Sequence, residues 1–529
     1  MADRLVFGSF RALENAQNWA QKLTTTLGNP ISRASVEREG VTWHRVQSAD
    51  MDEPALQALM RRAAGAGVTY WRLRADGSAS TAQVQRDGPE PRLTPPARIT
   101  RQAPVPPAEP VDKQAAEEQE TAQTRSLPQT STPAQRPRAS RAHQQLDVDL
   151  GLETRLFAER GLAGAARVSG SVSLQPEYYL AWADDRKSFT FTPFVRLDSE
   201  DSERSHADIR ELFYSYVGTN WDVHVGAKRV FWGVTEFHHL VDIINQTDLV
   251  ENIDGEDKLG QPMVQLSMVR DWGIVDAYVL TGFRERTFPG RDGRLGLPYK
   301  ISGSPRYESG AEELRTDFAL RWSHHVGAFE VGLHHFSGTS REPMFDPLLS
   351  AGGLELRPYY PVIDQTGVDA QAIYGDWAFK FEGMTRSGFG DRYSAANVGV
   401  EKTLVGVFGS SADLGLVMEY MYDERGEDAF NTLFERDVAI GGRLAMNDFA
   451  DTQALLGVIF DTQRDNYTIS LEASRQLSAS WQLNLEGRIF AGGKHLSHYN
   501  TLLVLTDPDY KHAWLDSEDY LQVEIKKYF

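Results

Sequence analysis

Cysteine is absent from the 529 residues, which excludes disulfides and thiolate metal sites. No apolar run approaches the roughly 18–20 residues that a membrane-crossing helix needs. Mean hydropathy is −0.43, but an average of that kind conceals any wall that alternates apolar and polar residues. Cations are in the minority, with 55 Lys and Arg against 74 Asp and Glu for a net charge of −19. No basic domain stands out to neutralise phosphates, so nucleic acid is not an expected partner. A charged-then-apolar leader is also missing from the N-terminus. Because the chain reads below as a membrane protein, this predicts that a signal peptide has been removed.

Composition divides what is present into three zones: 1–75, a small α+β unit; 76–144, dominated by Pro, Gln, Thr, Ala, Glu and Arg; and 145–529, rich in strands. The middle zone has almost no large apolar residues to offset the entropy of folding, which predicts a disordered tether. Its prolines favour extended conformations, giving a reach on the order of 200 Å at about 3.1 Å per residue.

In the third zone the residues alternate with a period of two. Tyr467, Ile469, Leu471 and Ala473 share one face and Thr468, Ser470, Glu472 and Ser474 the other. Trp377, Phe379 and Phe381 alternate with Ala378, Lys380 and Glu382 in the same way. A soluble sandwich also alternates, but here the connections change length in turn. Short links fall at 184–188, 218–220, 270–272, 325–327, 375–376, 409–413, 446–449 and 477–480. Long polar ones fall around 235–262, 284–313, 338–360, 423–436 and 494–517. That rhythm predicts a mainly β fold: an antiparallel transmembrane β-barrel of about 18 strands, 16 being the alternative count, with both ends on the side of the short turns. Trp182, Trp221, Trp272 and Trp481 near strand ends suit an interfacial girdle.

The final run, Leu521-Gln-Val-Glu-Ile-Lys-Lys-Tyr-Phe529, resembles the terminal β-signal of outer-membrane proteins, which implies recognition of Phe529 by the outer-membrane assembly machinery. It departs from that pattern at Lys527, where an aromatic is usual; a lysine at the rim can snorkel. The run Arg210-Glu-Leu-Phe-Tyr-Ser-Tyr, then Trp221-Asp-Val-His-Val-Gly-Ala-Lys, Phe231-Trp-Gly and Leu240-Val-Asp-Ile-Ile-Asn-Gln-Thr-Asp-Leu, resembles an uncharacterised family of Gram-negative porin-like barrels. It departs at Ala227-Lys228, where Arg-Gln is commoner. The resemblance implies a channel or transporter among outer-membrane lipids.

The link 235–262 mixes apolar residues with Asp242, Asp248, Glu251 and Asp254. Such a loop would fold into the pore and favour cations or neutral solutes, or else stay outside as a solvated loop. The stretch 238–244 has helix-compatible spacing. Asp254-Gly255-Glu256-Asp257 lacks calcium-loop spacing, and neither a metal nor a cofactor is expected.

The first zone reads as βαββαβ, with Ala16, Ala20 and Leu23 on one helix and Leu56, Leu59, Met60 and Ala63 on a second. The Gly8-Ser-Phe10 after the first strand and the alanine-studded helix resemble a SPOR domain. That family binds peptidoglycan glycan strands lacking stem peptides. Alternation in Thr42-Trp-His-Arg-Val-Gln47 puts Trp43, Arg45 and Gln47 on one face, with Tyr70 or Trp71 on the neighbouring strand to extend it. An aromatic beside hydrogen-bonding side chains suits sugar stacking, although Val6 stands where the family often has a polar residue. The plainer reading is that Trp43 only covers helix stems.

Catalysis is not expected. The pairs His238-His239, His324-His325 and His334-His335 offer one imidazole per strand face, and neither a Gly-x-Ser-x-Gly elbow nor a His-Glu-x-x-His helix is present. Taken together, the zones predict a channel or export porin of the outer membrane, its N-terminal domain in the periplasm and tethered to the wall. The alternatives are a plugged barrel anchoring the wall or a division or surface-assembly complex, with periplasmic or lipoprotein partners, and a barrel exporting lipid or polysaccharide.

Overall fold

A computed structural model describes residues 4–10, 20, 23–24, 27, 29–38, 41–49, 51, 55–56, 58–60, 62, 71–73, 79–80 and 142–529, the last without 163, 351–352, 430–431 and 433. The expected tether lies almost wholly outside the described residues, as does Tyr70. The chain divides into two units, Met1–Pro96 and Ala97–Phe529.

In the first unit, β1 (Arg4–Phe10), β2 (Ile31–Arg38), β3 (Val41–Ser48), β4 (Trp71–Leu73) and β5 (Ala79–Ser80) form an antiparallel sheet in the order β2-β3-β1-β4-β5. β5 lies beyond residue 75, where composition had placed the end of the unit. Leu5, Phe7 and Val46 from the sheet pack on Leu23, Leu27, Leu56 and Leu59. Burial of these side chains, at about 1.5–3 kcal/mol each, is what a unit this small has to hold it together. Thr24 Oγ1 donates to Ala20 O at 2.8 Å and accepts from Ile31 N at 3.1 Å, tying the helical turn to the start of β2.

In the second unit eighteen strands form a closed barrel. Its first strand, His143–Phe157, pairs antiparallel with its last, Tyr520–Tyr528. All eight short connections expected from the sequence join consecutive strands. Both ends of the barrel lie at the rim of the short turns, since His143 pairs with Ala181 just before the 183–186 turn and Tyr528 N donates to Ser480 O, in the 479–480 turn, at 2.9 Å.

Outward positions are apolar around the wall, among them Leu152, Leu320, Leu416 and Leu456, all exposed. A water-facing surface would not carry such a belt, and a lipid-facing one must. Of the four expected girdle tryptophans, Trp221, Trp272 and Trp481 are exposed at the short-turn rim, where Trp377 joins them, while Trp182 is half-buried. Lys527 Nζ donates to Ser480 Oγ at 2.8 Å and lies 4.8 Å from the centre of the Trp481 ring, so the unusual lysine turns its charge toward the rim.

Candidate functional site: a loop across the lumen

Alternation directs one residue in two into the barrel. One irregularity adds to it. Thr192 opposes Glu211 and Pro193 opposes Ile209, so Arg210 is an extra residue in its strand. This bulge turns Arg210 and Glu211 inward together, and both are buried.

Between strands Trp221–Lys228 and Gln261–Arg270 the loop 229–260 turns into the lumen instead of leaving the barrel. Val241, Ile243 and Ile244 are buried with Trp232 against Met263, Tyr278, Phe336 and Ile363 of the wall. The 238–244 segment forms no helix, despite its spacing. Apart from one turn bond, Asp242 N to His239 O at 3.4 Å, its backbone bonds to side chains on and beside the wall. Val241 N donates to Glu382 Oε2 at 3.2 Å, His238 O accepts from Asn397 Nδ2 at 2.7 Å, and Ile244 O accepts from Arg341 Nε at 3.1 Å.

The far tip is held by carboxylates. Glu382, fully buried, accepts from Val234 N at 2.6 Å, Thr235 N at 2.9 Å and Thr235 Oγ1 at 2.7 Å. Glu419 accepts from Glu236 N at 2.6 Å and Phe237 N at 2.9 Å. Glu236 itself pairs with Arg443. The Phe237 ring rests where Gly441 and Gly457 face each other on adjacent strands. A Cβ on Gly457 would come within 2.4 Å of that ring, and one on Gly441 within 2.8 Å. Two bare glycines therefore make the seat.

The return arm is held by arginines on the opposite wall. Glu251 takes a forked bond from Arg196, with Nε at 3.0 Å from Oε1 and Nη2 at 2.9 Å from Oε2. Arg210 Nη1 reaches Asp248 Oδ2 at 2.5 Å, and Thr287 Oγ1 donates to its other oxygen at 2.5 Å. Arg155 Nη2 donates to Glu251 O at 2.7 Å and Arg204 Nε to Val250 O at 3.2 Å. Arg488 pairs with Asp254 at 3.1 Å, and Lys258 with Asp242 at 3.2 Å within the loop. All four predicted loop acids are thus brought into the lumen, each already facing a cation. The charge that would attract a passing cation is largely compensated in place.

His239, on the loop rather than on a strand, meets Glu256 at 3.0 Å. Burial opposes charging the imidazole, but the Glu256 carboxylate prevails and raises its pKa to about 9. Burial likewise pushes Glu256 up, and His239 holds it below its ordinary value. The outer loops knit together around the same end. Arg294 pairs with Glu518 at 2.8 Å and lies over Phe157 at 4.0 Å, and Lys511 pairs with Glu435 and donates to Ala429 O at 2.7 Å.

The wall groups that hold the loop were not singled out from the sequence. Their only signal was charge at inward positions between aromatics, as at Lys380 and Glu382. Of the histidine pairs, His334 is buried in the lumen beside Gln365 at 3.1 Å while His335 faces outward. In the first unit Trp43 stands opposite Val36 on β2, its side chain outside the described residues. Arg45 is partly buried, and Gln47, opposite Val6, is only 7% exposed.

The family model of the SPOR domain matches residues 4–84. No curated protein matches the chain. Among solved structures it is similar to Pseudomonas aeruginosa OpdQ, at 10% identity and TM-score 0.42, covering 73% of this chain and 97% of that one. It is similar also to Pseudomonas aeruginosa OccK3, at 8% identity and TM-score 0.42, covering 73% and 95%. A third is Wzi of Escherichia coli, an outer-membrane protein involved in group 1 capsule assembly and titled a carbohydrate-binding β-barrel, at 8% identity and TM-score 0.43, covering 72% and 83%. The chain thus joins a SPOR domain at residues 4–84, a kind of domain that binds peptidoglycan, to a closed eighteen-strand antiparallel β-barrel.

Proposed function

We propose that this chain is a narrow, loop-restricted outer-membrane channel held to the cell wall by its SPOR domain, and that it performs no catalysis. The observation that carries the reading is the course of loop 229–260, which bonds to Glu419 on one wall and to Arg196 and Arg210 on the other. A loop that spans the lumen restricts passage by size and by paired charge rather than by a single-sign field. The SPOR domain, on the periplasmic side, takes glycan strands without stem peptides, with Trp43, Arg45 and Tyr70 as the binding face, the buried Gln47 contributing less. Tethering concentrates the barrel at such glycan.

The number of ion pairs across the lumen favours a second reading, a closed barrel whose work is to anchor the wall. The two separate in planar bilayers. The full chain as a channel gives small, steady single-channel steps. A barrel that stays silent while still co-sedimenting with sacculi is the anchor.

A further inference from the structure

The outer wall carries a polar notch whose side chains face away from the lumen. In strands Phe329–Thr339, Val362–Tyr374, Trp377–Ser387 and Tyr393–Leu404, which are neighbours in that order, the register aligns His335 with Thr366, Thr366 with Thr385 and Thr385 with Ser394. The next row toward the long-loop end aligns Ser337 with Asp364 and Asp364 with Ser387. One row the other way, Leu333, Val368, Gly383 and Ala396 align, and below them Val331, Ala370, Phe381 and Val398. Leu333, Phe381 and Val398 are exposed, which establishes that these rows face outward.

Two polar rows, one across four strands and one across three, therefore stand directly over two apolar rows. The polar side chains are organised. His335 Nδ1 is 2.9 Å from Thr366 Oγ1 and its Nε2 3.3 Å from Asp364. Arg392 reaches Asp364 at 2.7 Å and Ser387 at 3.3 Å. His335, Asp364 and Arg392 remain 50%, 42% and 46% exposed. On the flanking strand the aligned positions are Leu320 and Phe318, both exposed and apolar. Ionisable groups that break an apolar belt are unfavourable against hydrocarbon and need a polar partner there.

We infer that this notch binds the hydroxyl-rich headgroup of a glycolipid in the leaflet at the long-loop end, its acyl chains lying along Leu333, Val368, Phe381 and Val398. Three features select that occupant. The polar rows lie toward the long loops and the apolar rows toward the belt, matching a headgroup above its chains. Asp364 is balanced by Arg392, so the site offers hydrogen-bond donors and acceptors more than net charge. The row beneath is small at Gly383 and Ala396, and the Phe381 ring leans to within 2.9 Å of where a Gly383 Cβ would stand, giving an apolar face for a sugar edge.

The test uses the full chain in nanodiscs of phosphatidylethanolamine, with and without lipopolysaccharide as the probe. Native mass spectrometry then counts probe molecules retained per barrel. Wild type should retain the probe, and the pair His335→Leu with Asp364→Leu should lose it several-fold, as should Thr366→Val with Thr385→Val, which leaves the ions in place. Migration of the unheated barrel on SDS gels verifies that each variant is folded. Equal retention by folded variants overturns the proposal. So does a loss of dimers or trimers with lipid retention unchanged, which would make the notch a contact between copies of this chain.

Discussion

Glu251 of the lumenal loop receives both arms of the Arg196 guanidinium, at 3.0 and 2.9 Å, where neither side chain has more than 2% of its surface exposed. Breaking one partner of a buried pair leaves an uncompensated charge, at a cost of about 3–5 kcal/mol. Glu251→Ala should therefore release the return arm, leaving Arg196 with Glu153 at 3.0 Å and Ser171 Oγ at 2.5 Å. The expected readout is a larger and noisier single-channel conductance, with barrel closure retained on unheated gels. An unchanged trace would mean that Arg196 and Glu251 do not hold the gate.

The glycine seat makes a steric prediction. Gly457→Leu places a side chain where the Phe237 ring rests and should expel the loop tip without altering any charged residue. Conductance should rise about as much as with Phe237→Gly. The smaller Gly457→Ala should act more weakly in the same direction.

The His239–Glu256 contact predicts a pH window. The imidazole's pKa is raised from 6.5 to about 9 in the docked loop, so its stabilisation is fully present below 6.5 and is lost as pH rises through 9. Glu256 lies below its ordinary 4.5, so its share is present above 4.5 and is lost at lower pH. Loop openings recorded in bilayers should become more frequent between pH 7 and pH 9.5. His239→Ala should open more often at pH 7 and lose that dependence.

For the wall-binding face, Trp43→Ala combined with Arg45→Ala should abolish co-sedimentation of the full chain with amidase-treated sacculi, while its conductance stays as in wild type. Retained binding would place the glycan site elsewhere on the SPOR domain. Gln47, buried against its neighbours, should matter less than Arg45.

Much of the barrel could be read in advance because its determinants are local. Period-two alternation, link lengths and the terminal Phe529 each belong to a few consecutive residues. The eight short connections and the strand count follow from them. The loop acids were legible as a group, since Asp242, Asp248, Glu251 and Asp254 stand close together in sequence. Their partners were not, because Arg196, Arg210 and Arg488 lie on separate strands and meet the loop only through the register and closure of the barrel. The bulge at Arg210 breaks the alternation on which the sequence reading depended. Gly441 and Gly457 read as weak strand residues until their register shows them sharing one ring. Helix-compatible spacing at 238–244 misled because the wall's Glu382, Asn397 and Arg341 satisfy that backbone from outside.

The most direct measurement is single-channel conductance of the full chain beside a version in which 236–257 is replaced by a short Gly-Ser link, both reconstituted in planar bilayers. The account predicts small steps for wild type and a several-fold larger conductance for the shortened loop, with sacculus binding equal in the two. Equal conductance would contradict it, because the loop would then not be what restricts the lumen.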